Sequence, residues 1–240
     1  MNIIKYLKEC FKENIYDSNE LLKAVDRNKR YAVLSARKYI MWLMEHNHLD
    51  DGIGEKYLRI LCVTKNHNSI DIFVYSDNDV KRLYKNIDND RISMYFKILL
   101  YSGIRITELS KMLMEFEKKR LMVVNGEFMR YQLNWVRGEK KAFYVYLPIE
   151  LKPQLKQYYK VSPRQIEDEL RKYGIKGKIL RKVNYNKLLL AGINDSIADF
   201  IQNRVADSIG SRHYANMLLQ ADSNYLKALP LLKNLISESI

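Results

Sequence analysis

The chain has 240 residues, 47% of them hydrophobic, and carries 41 Lys+Arg against 28 Asp+Glu for a formal net charge of +13. That length and apolar content support one large or two modest domains with a buried core, which excludes a disordered chain. No apolar run approaches the roughly 20 residues of a membrane span, and the charged start "MNIIKYLKECFKENIY" is unlike a secretory signal, so a cytoplasmic protein without membrane contact is expected. Two distant cysteines, Cys10 and Cys62, form no metal-type or redox-type pair.

In chain order, residues 1–65 read as a helical domain: "NIIKYLKECFKE", then "SNELLKAVDRNKRYAVLSARKYIMWLMEH" with a break near Asn28, then "GEKYLRILCVT". The polar stretch 64–80 lacks helical periodicity and contains Ser76, a natural N-cap. It places a linker at 66–75 and a second domain over 76–240. In that domain Ile92, Phe96 and Leu99 mark one helix, and Ile106, Leu109 and Leu113 another, with Gly103 between them. From Arg120 to Pro148 the composition turns β-branched and aromatic, with turn signals at Asn125-Gly126 and Arg137-Gly138, which predicts a three-stranded antiparallel meander. Helices follow near 149–158, 163–173, 178–191, 195–202 and 208–220, with a last one beyond Pro230. The fold class is therefore mainly α with a small three-stranded antiparallel sheet.

The charge is uneven. Residues 1–75 hold 12 basic and 10 acidic residues, and the remainder holds 29 and 18. An excess of this size points to a polyanion, and nucleic acid is the reading it favours. The densest run, "RKYGIKGKILRKVNYNK" at 171–187, has seven basic residues and no acidic one; Ile179, Val183 and Leu190 fall among them at helical spacing, which predicts a docked helix with a basic flank carrying Lys176, Lys182 and Lys187 toward the polyanion. Several tempting motifs fail. The "HNH" at 46–48 lacks the separated elements of a metal nuclease and reads as exposed helix-end residues, "DDGIG" at 50–54 reads as a helix-helix turn, no phosphate-cradling glycine loop exists, and the acidic residues form no two-metal cluster. Chemistry on phosphates would therefore need side chains as its cations, with no metal and no cofactor.

Those side chains are present in a specific order. "YSGIRITELS" puts Arg105 at a helix start just after a glycine, with Glu108 three residues on to buttress the guanidinium. "KILR" sets Lys178 and Arg181 at i, i+3, projecting from one face of a helix whose other side is apolar. Arg204 follows at a helix end in "IQNR", and "SIGSRHYANMLLQ" places Tyr214 ten residues later, one of 18 tyrosines in the chain. A lysine, Lys140 or Lys141, stands at the second β-turn. His213 is adjacent to Tyr214, but helix neighbours diverge by about 100°, so it reads as a helix-surface residue.

With these strings the sequence resembles the tyrosine recombinase family, and within it the archaeal virus and plasmid integrases of the fusellovirus type. "SGIRITEL" matches the family's T/S-G-x-R-x-x-E-L, "KILR" matches its H/K-x-x-R, and "IADFIQNRVADSIGSRHY" resembles the subgroup pattern VADFIQGR…S-V-G-x-x-H-Y. The resemblance covers about residues 75–220, and weakly the N-terminal region as the family's helical core-binding domain. Lys178 replaces a histidine common in the family, and Arg204 stands where histidine or tryptophan is common; the archaeal subgroup shares both changes.

The resemblance implies a site-specific recombinase acting on double-stranded DNA, in which two domains clamp the duplex and a tetramer forms on synapsed sites from a free monomer or weak oligomer. It implies Arg105, Lys178, Arg181, Arg204 and Tyr214 as catalytic residues, and a turn lysine as the proton donor to the leaving 5′-oxygen. Of the two candidates Lys140 lies just past the tip, free to reach a groove, whereas Lys141 enters the strand; Lys140 is the choice and Lys141 the alternative. The chemistry is coherent on physical grounds. Arginine forks stabilise charge on non-bridging oxygens, and clustered guanidinium groups favour ionisation of a phenol whose ordinary pKa is about 10. A type IB topoisomerase-like enzyme and an inactive DNA-binding protein of the same fold are the alternatives.

Overall fold

The computed structural model describes residues 18–25, 30–62, 73–137, 140–156, 160–204 and 211–237, which form ten α-helices, two short 3₁₀ turns and one three-stranded antiparallel sheet. The chain divides into two units, Met1–Asp71 and Ile72–Ile240. The helix expected within the first 17 residues, the break near Asn28 and most of the 66–75 linker lie outside the described residues.

In the first unit α1 (Ser18–Ala24), α2 (Arg30–Glu45) and α3 (Asp51–Ile60) bury Leu21, Val25, Val33, Ala36, Ile40 and Leu61 against one another. The "HNH" segment ends α2: Asn47 adopts a left-handed conformation with φ 55°, His48 N–H returns to Leu43 O at 2.8 Å, and both histidines are exposed. "DDGIG" is not a turn but the start of α3. Asp50 caps it by accepting from Ile53 N–H at 3.1 Å, and Gly54 lies inside the helix because the Met44 thioether occupies the space a Cβ would take.

The second unit is built around α5 (Asp90–Ser102), whose Ile92, Tyr95, Phe96, Ile98, Leu99 and Leu100 are all buried. It is entered through α4 (Asp77–Lys85), started by a reciprocal capping box between Ser76 and Asp79. After α6 (Ile106–Met114) come β1 (Leu121–Val124), β2 (Phe128–Arg137) and β3 (Lys140–Pro148), paired in sequence order. The turn at Asn125-Gly126 is as expected, with φ of 51° and 74°. Residues 138–139, the tip of the second turn, lie outside the described residues. The helix expected at 149–158 is a short 3₁₀ turn over Ile149–Gln154, as Pro153 removes a donor N–H.

Four helices complete the unit: α7 (Pro163–Lys172), α8 (Gly177–Leu190), α9 (Asp195–Ile201) and α10 (Ser211–Lys233). The inward face of α8 differs from the predicted one. Leu180, Arg181, Asn184 and Leu188 are buried beside Ile179 and Val183, whereas Leu190, at the helix end, is 72% exposed. Pro230 does not separate two helices; α10 runs through it, because Ala221, Tyr225, Ala228, Leu229 and Leu232 continue one buried stripe across the proline and offset its missing N–H. No described helix is long and apolar enough to cross a membrane.

An ion pair between the buried Arg130 and the partly buried Asp222 pins α10 to the sheet. Arg130 on β2 is 3.3 Å from Asp222 on α10, and Tyr146 on β3 donates to the other carboxylate oxygen at 3.2 Å. Burial pushes the Asp222 carboxyl above its ordinary range, against the opposing pull of Arg130. Removing one partner of such a pair strands the other charge, so Asp222→Ala is expected to lower unfolding stability by about 3 kcal/mol. Urea denaturation measures this, and a loss below about 1 kcal/mol, the scale of an exposed pair, would contradict it.

Candidate active site

Two helix termini and one helix interior meet at the site. Helix α5 ends at Gly103, whose φ of 62° suits a residue without Cβ; a Cβ there would come within 2.4 Å of Asn184 Oδ1 and Gln202 Nε2. The chain turns at once into α6 with Arg105 at the N-cap. Glu108, only 3% exposed, closes this start by accepting from Arg105 N–H at 2.8 Å through Oε2, while its Oε1 pairs with the Arg105 guanidinium. The buttress expected from the i, i+3 spacing is present.

Arg181 approaches the same carboxylate from α8. Its Nη1 is 3.8 Å from Glu108 Oε2, an ion-pair distance without a hydrogen bond, and Nη2 donates to Gln202 O at 2.8 Å. The residue is 8% exposed. Burial, reinforced by the neighbouring Arg105 charge, pushes its pKa down to about 9, with Glu108 acting in the opposite sense. Arg181 therefore remains charged at neutral pH. It does not share Lys178's surroundings: residues at i, i+3 are about 60° apart on a helix, and here the boundary of burial passes between them, leaving Lys178 exposed and Arg181 inside.

The third element is the C-terminal turn of α9. Asn203 takes a left-handed conformation, φ 56°; its N–H bonds Phe200 O at 3.0 Å and Arg204 N–H bonds Asp199 O at 2.8 Å, the two closing bonds of a Schellman motif. The carbonyls of this turn face the arginines. Arg105 Nη1 donates to Asn203 O at 2.9 Å, one residue along from the Gln202 carbonyl held by Arg181. Arg204 leaves the turn with its guanidinium 4.7 Å over the Tyr185 ring and 3.8 Å from Asp199. Three arginines separated by up to 99 positions are thus gathered on one helix end, where unpaired carbonyls favour cations.

Behind them lies a buried polar network that the sequence reading did not identify. Asn184 donates to Leu100 O and Tyr101 O at 2.8 and 2.9 Å, and Gln202 Nε2 donates to Asn184 Oδ1 and Arg181 O at 2.6 and 2.9 Å. It ties the end of α5, the middle of α8 and the end of α9 together. Asn203 adds the sheet: its Oδ1 accepts from Phe143 N–H and its Nδ2 donates to Tyr144 O, both at 2.9 Å. The available sequence signals were the asparagine following a helix in "IQNR" and the glycine before Arg105.

Three lysines expected to face nucleic acid border α8. Lys182 Nζ donates to Phe73 O at 3.0 Å, Lys187 Nζ to Asp77 at 2.8 Å, and Lys176 N–H to the Tyr75 hydroxyl at 3.0 Å, so this flank holds the entering segment 73–77. Lys140 opens β3 and is the register partner of Arg137; Lys141 is that of Val136. Both candidate lysines are therefore strand residues, whereas only Lys141 was expected within the strand. Their side chains, with those of His213 and Tyr214, lie outside the described residues; Tyr214 occupies the first turn of α10.

A family model described as archaeal phage integrase matches residues 72–231, which include every arginine of the site, Lys140, Lys178 and Tyr214. Among solved structures the chain is similar to an integrase from mycobacterium phage Brujita, at 14% identity with a TM-score of 0.50, over 98% of this chain and 89% of that one. No curated protein matches it. At that identity the structural likeness supports the fold, mainly helical with a small sheet, and the family match agrees with the order of motifs along the sequence: the chain belongs to the archaeal phage integrase family.

Proposed function

We propose that this integrase cuts and rejoins double-stranded DNA at a specific site through a 3′-phosphotyrosyl intermediate, with Tyr214 as nucleophile. The Tyr214 oxygen attacks phosphorus as its proton passes to water, the bond from phosphorus to the 5′-oxygen breaks, and that oxygen takes a proton from the Lys140 ammonium. Attack by a 5′-hydroxyl from a partner strand reverses the step and releases the tyrosine. Arg105 and Arg181 hold the non-bridging oxygens, with Lys178 and Arg204 adding positive charge around them. In this reading the first unit is the core-binding domain, the second the catalytic domain, and a tetramer assembles on two synapsed sites.

One observation carries the proposal. Arg105 and Arg181, 76 positions apart, share the buried Glu108 and donate to consecutive carbonyls of a single turn. Burial lowers the Arg181 pKa most, and repulsion from the neighbouring Arg105 guanidinium lowers it further. Such an arrangement is expected where an anion is to be received. The family membership supplies DNA as that anion.

The test is a reaction between two marked DNA molecules carrying candidate attachment sites, with chelator present and ATP absent. Exchange of flanking sequence is expected, because the phosphotyrosyl bond conserves the energy of the phosphodiester and arginines stabilise the transition-state charge. Relaxation of a supercoiled circle without exchange would indicate a topoisomerase, and strict dependence on a divalent ion would refute the mechanism. Since residues 76–240 hold 29 basic and 18 acidic residues, affinity is expected to fall by about 10³-fold or more between 50 and 200 mM salt.

A further inference from the structure

The β2–β3 hairpin changes character along its length. Up to Tyr131 it is braced by β1, which pairs with Phe128–Tyr131; beyond that point β2 and β3 pair with each other alone. The register slips between Gln132 and Trp135, where Asn134 takes φ 46° and one extra residue of β2 makes a bulge. Two-stranded ribbons twist strongly and are marginal by themselves, so the arm from Trp135 to Ala142 needs an outside anchor. On the β3 side, opposite the bulge, that anchor is Asn203: its carboxamide holds Phe143 N–H and Tyr144 O, both at 2.9 Å. On the β2 side the Lys111 ammonium lies 5.9 Å over the Trp135 ring, a weaker and partly exposed contact.

Asn203 has a second bond of a different kind, from its main-chain carbonyl, which accepts from Arg105 Nη1 at 2.9 Å. Its side chain and its backbone thus grip different parts of the site. We infer that Asn203 is a positioning residue that sets the placement of Lys140, at the start of β3, relative to the arginine pair. Lys140 is three residues from Phe143 along the strand, about 10 Å. The inference rests on the reading of Lys140 as the proton donor. It assigns asparagine to this turn for two reasons: asparagine tolerates the left-handed backbone that a Schellman motif needs, as glycine does, and it alone of the two carries a carboxamide to reach the strand.

Asn203→Gly separates these roles, since glycine keeps the left-handed turn and the carbonyl that holds Arg105 and deletes only the grip on β3. Single-turnover cleavage is measured on a normal duplex and on one with sulfur in place of the bridging 5′-oxygen, a leaving group that needs no proton. On normal DNA, Asn203→Gly is expected to cleave about 10–100-fold more slowly, part of the roughly 10²–10⁴-fold that a positioned acid supplies. On the sulfur duplex it is expected within a few-fold of the unaltered protein, and Lys140→Ala should be rescued in the same way. Equal loss on both duplexes for Asn203→Gly, with Lys140→Ala rescued, would overturn the inference and leave the acid assignment standing. If Lys140→Ala is not rescued, the acid assignment fails and the inference fails with it. Phe143→Pro removes the same hydrogen bond from the strand side, at an edge position that accepts proline; it should reproduce the sulfur-specific rescue, and its failure to do so where Lys140→Ala is rescued counts against the inference even if Asn203→Gly does not fold.

Discussion

Arg181→Ala is expected to slow strand cleavage by about 10³-fold or more, the scale of a transition-state arginine or oxyanion donor, while DNA affinity changes far less. Arg181 is buried, its Nη2 bonded to Gln202 O and its Nη1 turned toward Glu108, so the fork enters the site in one orientation. Alanine removes both the donors and the charge that balances Glu108. Arg181→Lys should be nearly as damaging to cleavage, because a point charge on a flexible stem cannot reach Gln202 O and also present a planar pair of donors to a phosphate. Glu108→Gln gives the converse result: the local positive charge rises, so DNA is held at least as tightly, yet the two guanidinium groups lose the carboxylate that sets their spacing and cleavage falls. The check is single-turnover cleavage of a nicked duplex alongside binding measured on intact DNA. A cleavage defect in Arg181→Ala no larger than its binding defect would mean that the arginine only holds DNA.

Much of this site could be read from the chain because its pieces are local. Gly103, Arg105 and Glu108 lie within six positions, and a helix start after a left-handed glycine dictates how they meet. The hairpin was legible for the same reason, from turn chemistry and alternation. What was not legible depends on distant segments. Arg181 sits in a run of seven basic residues that resembles a solvated flank, and only the packing of α8 against α5 shows that it belongs to the interior. The same packing buries Leu188 and leaves Leu190 in solvent, since a helix end can project beyond the body it packs on. Asn184 and Gln202 looked like ordinary polar residues; their role follows from the carbonyls of Leu100, Tyr101 and Arg181, which lie 21 to 84 positions away from the amides that bond them. Pro230 misled in the opposite way, because a local rule against proline in helices yielded to a long buried stripe.

The tyrosine is where the local and distant arguments join. Burial holds the phenols of Tyr75, Tyr101, Tyr131, Tyr185 and Tyr225 above the ordinary tyrosine range, and a hydrogen bond to Asp88 does so for Tyr173. Tyr185, pushed up to about 12, lies nearest the cluster, beneath Arg204, and its hydroxyl is committed to Asp195. A nucleophilic phenol needs the reverse, a lowered barrier to ionisation, so these tyrosines are poor rivals to Tyr214. Tyr214 opens α10, the helix that Asp222 and Tyr225 fasten further along, Tyr225 donating to Tyr146 O of β3 at 3.4 Å and to Tyr101 O of α5 at 3.2 Å. In the proposed mechanism the covalent link forms through Tyr214, so replacing its hydroxyl is expected to abolish cleavage outright.

The most direct measurement is therefore a covalent trap. The protein is incubated with duplexes nicked just beyond candidate cleavage positions, so that the short downstream fragment released with a free 5′-hydroxyl diffuses away, and the products are separated under denaturing conditions and mapped by proteolysis. The expected result is a DNA adduct through the 3′ phosphate on the peptide containing Tyr214, formed in chelator and absent from Tyr214→Phe, which still binds the duplex with unchanged affinity. An adduct that persists in Tyr214→Phe, or that maps to a different residue of the unaltered protein, would contradict the account.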